Sequence, residues 1–189
     1  GGESRLAPES FPQVAEWVDL QAVPRTGARV LTLVERLRER GLLSHSRVDD
    51  AASAPWVAAL AAQAEYVFES SPAGHSTSRI DDLFASLTRQ QLVAGVDADQ
   101  ALLLAGVGDQ EQFATAVALL ARSLGFDSRV VVGVRLATDE PLSSVAPCAD
   151  GVCTGANVTA WVEVLGPDGT WGTIDAGPQF AVPITRVAE

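Results

Sequence analysis

Apolar residues recur with helical spacing at several places along the chain. Val30, Leu33, Val34 and Leu37 form one such stripe, with Thr26 placed as its N-cap and Gly41 as its stop. The opposite face carries Glu35, Arg36, Arg38, Glu39 and Arg40 and is expected in solvent. Pro55 opens a second, alanine-rich stretch from Trp56 to about Phe68. A third helix is expected from Ser78 to about Val93, with Ile80, Leu83, Phe84 and Leu87 on one side. The clearest helix is Asp109–Leu124, where Phe113, Ala116, Val117, Leu120 and Leu124 form a single stripe. Asp109 is its N-cap and Gly125 its stop.

Strand patterns dominate the second half of the chain. The β-branched run from Arg129 to Arg135 reads as a buried strand. Val158, Ala160, Val162 and Val164 then alternate with Thr159, Trp161, Glu163 and Leu165. Gly166-Pro167-Asp168-Gly169 is a turn, and Trp171 to Asp175 is the returning strand of a hairpin. At the other end, residues 1–25 read as an extended lead-in with a short strand at Val14–Leu20, followed by a single domain over residues 26–189. The stretch 94–108 fits no element. Helices first and an antiparallel sheet afterwards make the class α+β, with N-terminal helices packed on the sheet.

Charge narrows the partners. With 13 basic and 24 acidic residues the net charge is −11, a poor match to nucleic acid or an anionic membrane surface. No run approaches the ~18 consecutive apolar residues of a membrane span. The chain contains no methionine and opens Gly1-Gly2, so it is expected to be a domain cut from a larger protein. Cys148 and Cys153 bracket the turn signal Asp150-Gly151. That arrangement permits a disulfide. Free thiols, or a metal or redox pair, are the alternatives, although two cysteines are too few for a structural zinc.

Three segments carry a resemblance. They are Gly108-Asp109-Gln110-Glu111-Gln112-Phe113-Ala114-Thr115-Ala116, the strand Arg129-Val130-Val131-Val132-Gly133, and the hairpin Thr159-Ala160-Trp161-Val162-Glu163 with Trp171-Gly172-Thr173-Ile174-Asp175. In this order they resemble the transglutaminase-like family of the papain-like superfamily. They look closest to its bacterial branch, found as an extracytoplasmic domain of multi-pass membrane proteins. The resemblance covers roughly residues 70–180 and is strongest from Gln112 to Gly133. Gly74-His75-Ser76 is also similar to that branch.

The resemblance implies acyl transfer or amide hydrolysis through a thioester. A cysteine at a helix N-terminus would be the nucleophile, a histidine on a facing strand the base, and an aspartate on the next strand would orient the imidazole. Carried over residue by residue, the cysteine falls on Gln110, the histidine on Thr159 and the aspartate on Asp175. Gln110 offers no nucleophile, and Thr159 is no base near neutral pH. Losing triad members costs several powers of ten in rate.

The expectation is therefore a non-catalytic binding or scaffolding domain whose partner is a protein, a peptide or cell-wall material. Its parent would be membrane-embedded, and no metal or organic cofactor is expected. Trp161, Asp109 and His75 are candidate binding residues, with Trp161 either flooring a remnant cleft or packing in the core. Gln110 could hydrogen-bond Thr159 across the old site. The alternatives are a purely structural domain, or a hydrolase or acyl transferase with a rearranged site that uses Thr159, a freed cysteine or His75.

Overall fold

The computed structural model describes residues 5–24, 28–43, 76–94, 106–134, 136 and 147–177. In chain order its main elements are α1 (Pro12–Leu20), α2 (Arg29–Glu39), β1 (Gly41–Leu43), α3 (Thr77–Ala94), β2 (Gly106–Gly108), α4 (Gln110–Ser123), β3 (Ser128–Val134), β4 (Val158–Leu165) and β5 (Trp171–Ile174). The class is α+β. β3, β4 and β5 form an antiparallel sheet in that order, and β1 pairs with β2 in a separate parallel ladder. The expected Trp56–Phe68 helix lies outside the described residues; the N-cap position of α2 is held not by Thr26 but by Ala28, which makes no side-chain cap bond, since the helix begins only at Arg29.

α4 is the centre of the fold. Every residue from Gln112 to Ala121 is buried except Thr115. The spacing of apolar residues predicts one apolar stripe on this helix. Its alanines Ala114, Ala118 and Ala121 are buried as well, so it is covered on several sides. It packs against β4 and β3, and also against α1 and α2. Two bonds pin β3 to it. Ser128 donates from Oγ to the Ala118 carbonyl at 2.8 Å, and Arg122 donates to the Ser128 carbonyl at 2.9 Å. Gly125 follows with φ +87°, where a β-carbon would be strained.

Three further expectations fail. The Val14–Leu20 strand in the extended lead-in is the helix α1. Val14, Trp17 and Val18 form its buried face, and Trp17 meets Phe84 of α3 edge-on with ring centroids 5.5 Å apart. The backbone N–H of Gln13 donates to Asp81 Oδ1 at 3.0 Å, a second tie between the same helices. The buried strand at Arg129–Arg135 is β3 (Ser128–Val134), which lies at the edge of the described sheet. Val130, Val132 and Val134 keep 38%, 56% and 37% of their surface in solvent, because on one side no described strand covers them. Arg40, assigned to the exposed face of α2, is buried. Its Nη1 donates to Oε1 of Gln21 at 2.9 Å and of Gln91 at 2.8 Å. Burial, with Arg36 nearby, lowers its pKa from the ordinary guanidinium value.

The hairpin follows its sequence pattern. Val162 pairs with Ile174 and Leu165 with Trp171. Asp168 Oδ1 accepts from the Thr170 hydroxyl at 2.7 Å and from its backbone N–H at 3.1 Å. These bonds favour the charged carboxylate and hold its pKa below the usual value.

Candidate functional site

The start of α4 is built by short-range bonds. Asp109 is extended at φ −89°, ψ 176°, and its Oδ1 accepts from the Gln112 N–H at 2.8 Å. Gln112 returns the bond, its Oε1 accepting from the Asp109 N–H at 3.0 Å. This is a reciprocal capping box. It also explains Gly108, since a β-carbon there would lie 2.7 Å from Gln112 Oε1. Gln110 is the first helical residue and is half-buried. The exposed N–H end of a helix favours negative charge. Here Asp109 and Glu111 already supply it, at the place where a thiolate would otherwise gain that stabilisation. Asp109→Ala is expected to cost about 1 kcal/mol. Chemical denaturation checks this, and a change within error would mean that the cap contributes nothing.

Thr159 lies near the start of β4 and is 3% exposed. It pairs with Gly133, and Trp161 pairs with Val131. Cross-strand partners share a face. Thr159 and Trp161 therefore lie on the face opposite Ala160 and Val162, which join the core. Trp161 is half-buried and crosses Gly133, where a β-carbon would stand 3.1 Å from the indole Cη2. The Thr159 hydroxyl has no hydrogen-bond partner among the described residues. The expected Gln110–Thr159 hydrogen bond is therefore not formed. A threonine hydroxyl sits one bond beyond Cβ and cannot reach as an imidazole would.

Asp175 follows β5 directly. Its Oδ1 accepts from the Gly177 N–H at 2.8 Å, and its Oδ2 lies 3.1 Å from Arg38 Nη2. Arg38 Nε also donates to the Gly177 carbonyl at 2.8 Å. Sequence reading missed Arg38, because nothing local separates it from Arg36 on the same helix. His75 lies outside the described residues.

Cys148 and Cys153 form a disulfide. They flank a tight two-residue turn in which Asp150 and Gly151 have φ of +51° and +75°, and the Val152 N–H donates to the Ala149 carbonyl at 2.8 Å. Since the chain has two cysteines, this bond leaves it no thiol.

The three carried-over positions thus lie on elements that pack in succession: α4 against β4, and β4 paired with β5. What they present is an amide, a hydroxyl without a partner, and a carboxylate held by a guanidinium.

A family model described as the transglutaminase-like superfamily matches residues 51–176. No curated protein matches the chain. Among solved structures, the periplasmic domain of TgpA from Pseudomonas aeruginosa is similar at 17% identity and a TM-score of 0.42, covering 89% of this chain and 43% of that one. The same domain also appears at 17% identity and 0.42, covering 89% and 42%; the first of these two crystal structures is bound to ethylmercury. This chain spans less than half the length of either.

Proposed function

Since the chain belongs to the transglutaminase-like superfamily, we propose that it is a non-catalytic binding or scaffolding member of it. One observation carries this reading. The chain holds no thiol, because its two cysteines are joined; the motif carried over from the family sets Gln110 at the nucleophile position and Thr159 at the base position. Thioester chemistry requires a thiolate and a base to generate it. The disulfide also removes the freed-cysteine route to a rearranged enzyme.

The Thr159 hydroxyl supports a binding role. A buried polar group without a partner costs free energy, and a ligand that supplied the missing hydrogen bond would offset that cost. A peptide or glycan strand, rich in donors and acceptors, fits this requirement. The net charge of −11 argues against nucleic acid. The disulfide belongs in an oxidising compartment, so we place the domain outside the cytoplasm. The resemblance to the membrane-protein branch supplies a membrane-embedded parent as part of the same proposal.

The test uses the absence of any other thiol. Gln110→Cys introduces a single reactive sulfur, and its alkylation rate with iodoacetamide is followed against pH, alone and combined with Thr159→His. The register carried one residue past Ile174 sets Asp175 opposite Trp161, two residues from Thr159. If this is the family site, the added imidazole moves thiolate formation to lower pH by about one unit or more. Identical profiles would sink the carried-over geometry. A native chain that consumed a glutaminyl peptide and an amine, with turnover lost in Asp175→Asn, would overturn the non-catalytic reading itself.

A further inference from the structure

Arg38 belongs to α2, which precedes the family-matched residues 51–176. It nevertheless grips the end of that match. Its Nη2 lies 3.1 Å from Asp175 Oδ2, and its Nε donates to the Gly177 carbonyl at 2.8 Å. Asp175 meanwhile accepts from the Gly177 N–H. The guanidinium thus binds both the carboxylate and the carbonyl of Gly177, the residue whose N–H the carboxylate accepts. Both side chains are mostly covered, with 23% and 21% exposed, so the pair is less screened than a surface ion pair. Among the described residues, Glu35 also lies 3.6 Å from Arg38 and is itself 62% exposed.

We propose that Arg38 is a clasp, supplied from outside the family frame, that commits Asp175 to holding α2 against the end of β5. It thereby withdraws Asp175 from orienting any imidazole at position 159. This rests on the reading of Asp175 as the family's aspartate. A carboxylate that orients an imidazole also stabilises the imidazolium. One already neutralised by a guanidinium does so less, and freeing it restores the effect.

Two measurements test the clasp. In the otherwise native chain, Arg38→Met, Asp175→Asn and the double variant form a cycle read by chemical denaturation. The expected coupling is about fivefold or more in the unfolding equilibrium constant. Additive effects overturn the clasp. In the Gln110→Cys/Thr159→His background, adding Arg38→Met is expected to move thiol alkylation to lower pH by about half a unit or more, and adding Asp175→Asn as well is expected to abolish that gain. If Asp175→Asn alone shifts the profile as much with Arg38 present as without it, the carboxylate is not withdrawn and the proposal falls. If the introduced thiol ignores the imidazole in every background, the site reading fails with the claim of withdrawal, while the stability cycle still decides whether Arg38 and Asp175 are coupled.

Discussion

Trp17→Ala is expected to destabilise the protein by about 3–4 kcal/mol, a large share of a typical domain's ~5–15 kcal/mol. Trp17 has no exposed surface and lies in the main core cluster with Val14, Val18, Leu33 and Phe84. Its ring meets Phe84 at 62°, an edge-to-face contact that adds to simple burial. Truncation removes that contact and leaves a cavity that neighbouring helices fill only in part. One effect opposes the loss. The indole Nε1 is buried without an acceptor among the described residues, so deleting it also removes an unsatisfied donor. That keeps the estimate below the upper end of ~5 kcal/mol for such truncations. Urea denaturation of Trp17→Ala, beside Leu31→Ala at a 61%-exposed position of α2, is the measurement. Equal small losses in both would mean that α1 is not integral to the core.

The misreading of this segment has a physical origin. Pro12 stands at the helix start, and Val14, Trp17 and Val18 have helical spacing. Both signals were present in the sequence. The nine-residue helix is short enough that helical and strand periods compete, and the deciding contact with Phe84 is remote in sequence. α4 was legible for the opposite reason. Its cap, stripe and stop are local, and Asp109 and Gly125 behave as their spacing requires. β3 shows what periodicity omits. A β-branched run fits a fully buried strand, but position within the sheet decides burial, and β3 is at the edge of the described sheet.

The candidate site divides in the same way. Gln110 at the first turn of α4 and Thr159 near the start of β4 follow from local pattern. The partner of Asp175 does not. Arg38 lies among Glu35, Arg36, Glu39 and Arg40, and all five read as a solvated face. Its three arginines leave that face for different partners: Arg36 donates to the Gln21 carbonyl, Arg40 turns to the amide oxygens of Gln21 and Gln91, and Arg38 to Asp175 and Gly177. These contacts join separate segments of the chain, so they exist only once the helices have packed.

Thr159→Val is expected to stabilise the free protein by about 1–3 kcal/mol, against the usual direction of core substitutions. Thr159 is 3% exposed and its Oγ1 has no partner among the described residues. On folding, the hydroxyl gives up hydrogen bonds to water and gains none. Valine has nearly the same shape and the same branching at Cβ, so it keeps the β4 conformation and places a methyl where the oxygen was. The removed cost is therefore not replaced by a cavity or a clash. A loss of stability of 1 kcal/mol or more on denaturation would show that the hydroxyl is bonded in solution, and the binding argument built on it would go. A gain has a functional consequence. A chain that keeps a destabilising hydroxyl in a buried position, where valine fits, holds a group whose hydrogen bond a ligand can complete. The same variant should then weaken capture of a peptidoglycan fragment or peptide bound at this position by about tenfold or more, since the ligand's polar group would face a methyl. Greater stability with unchanged capture would place the binding surface elsewhere on the domain.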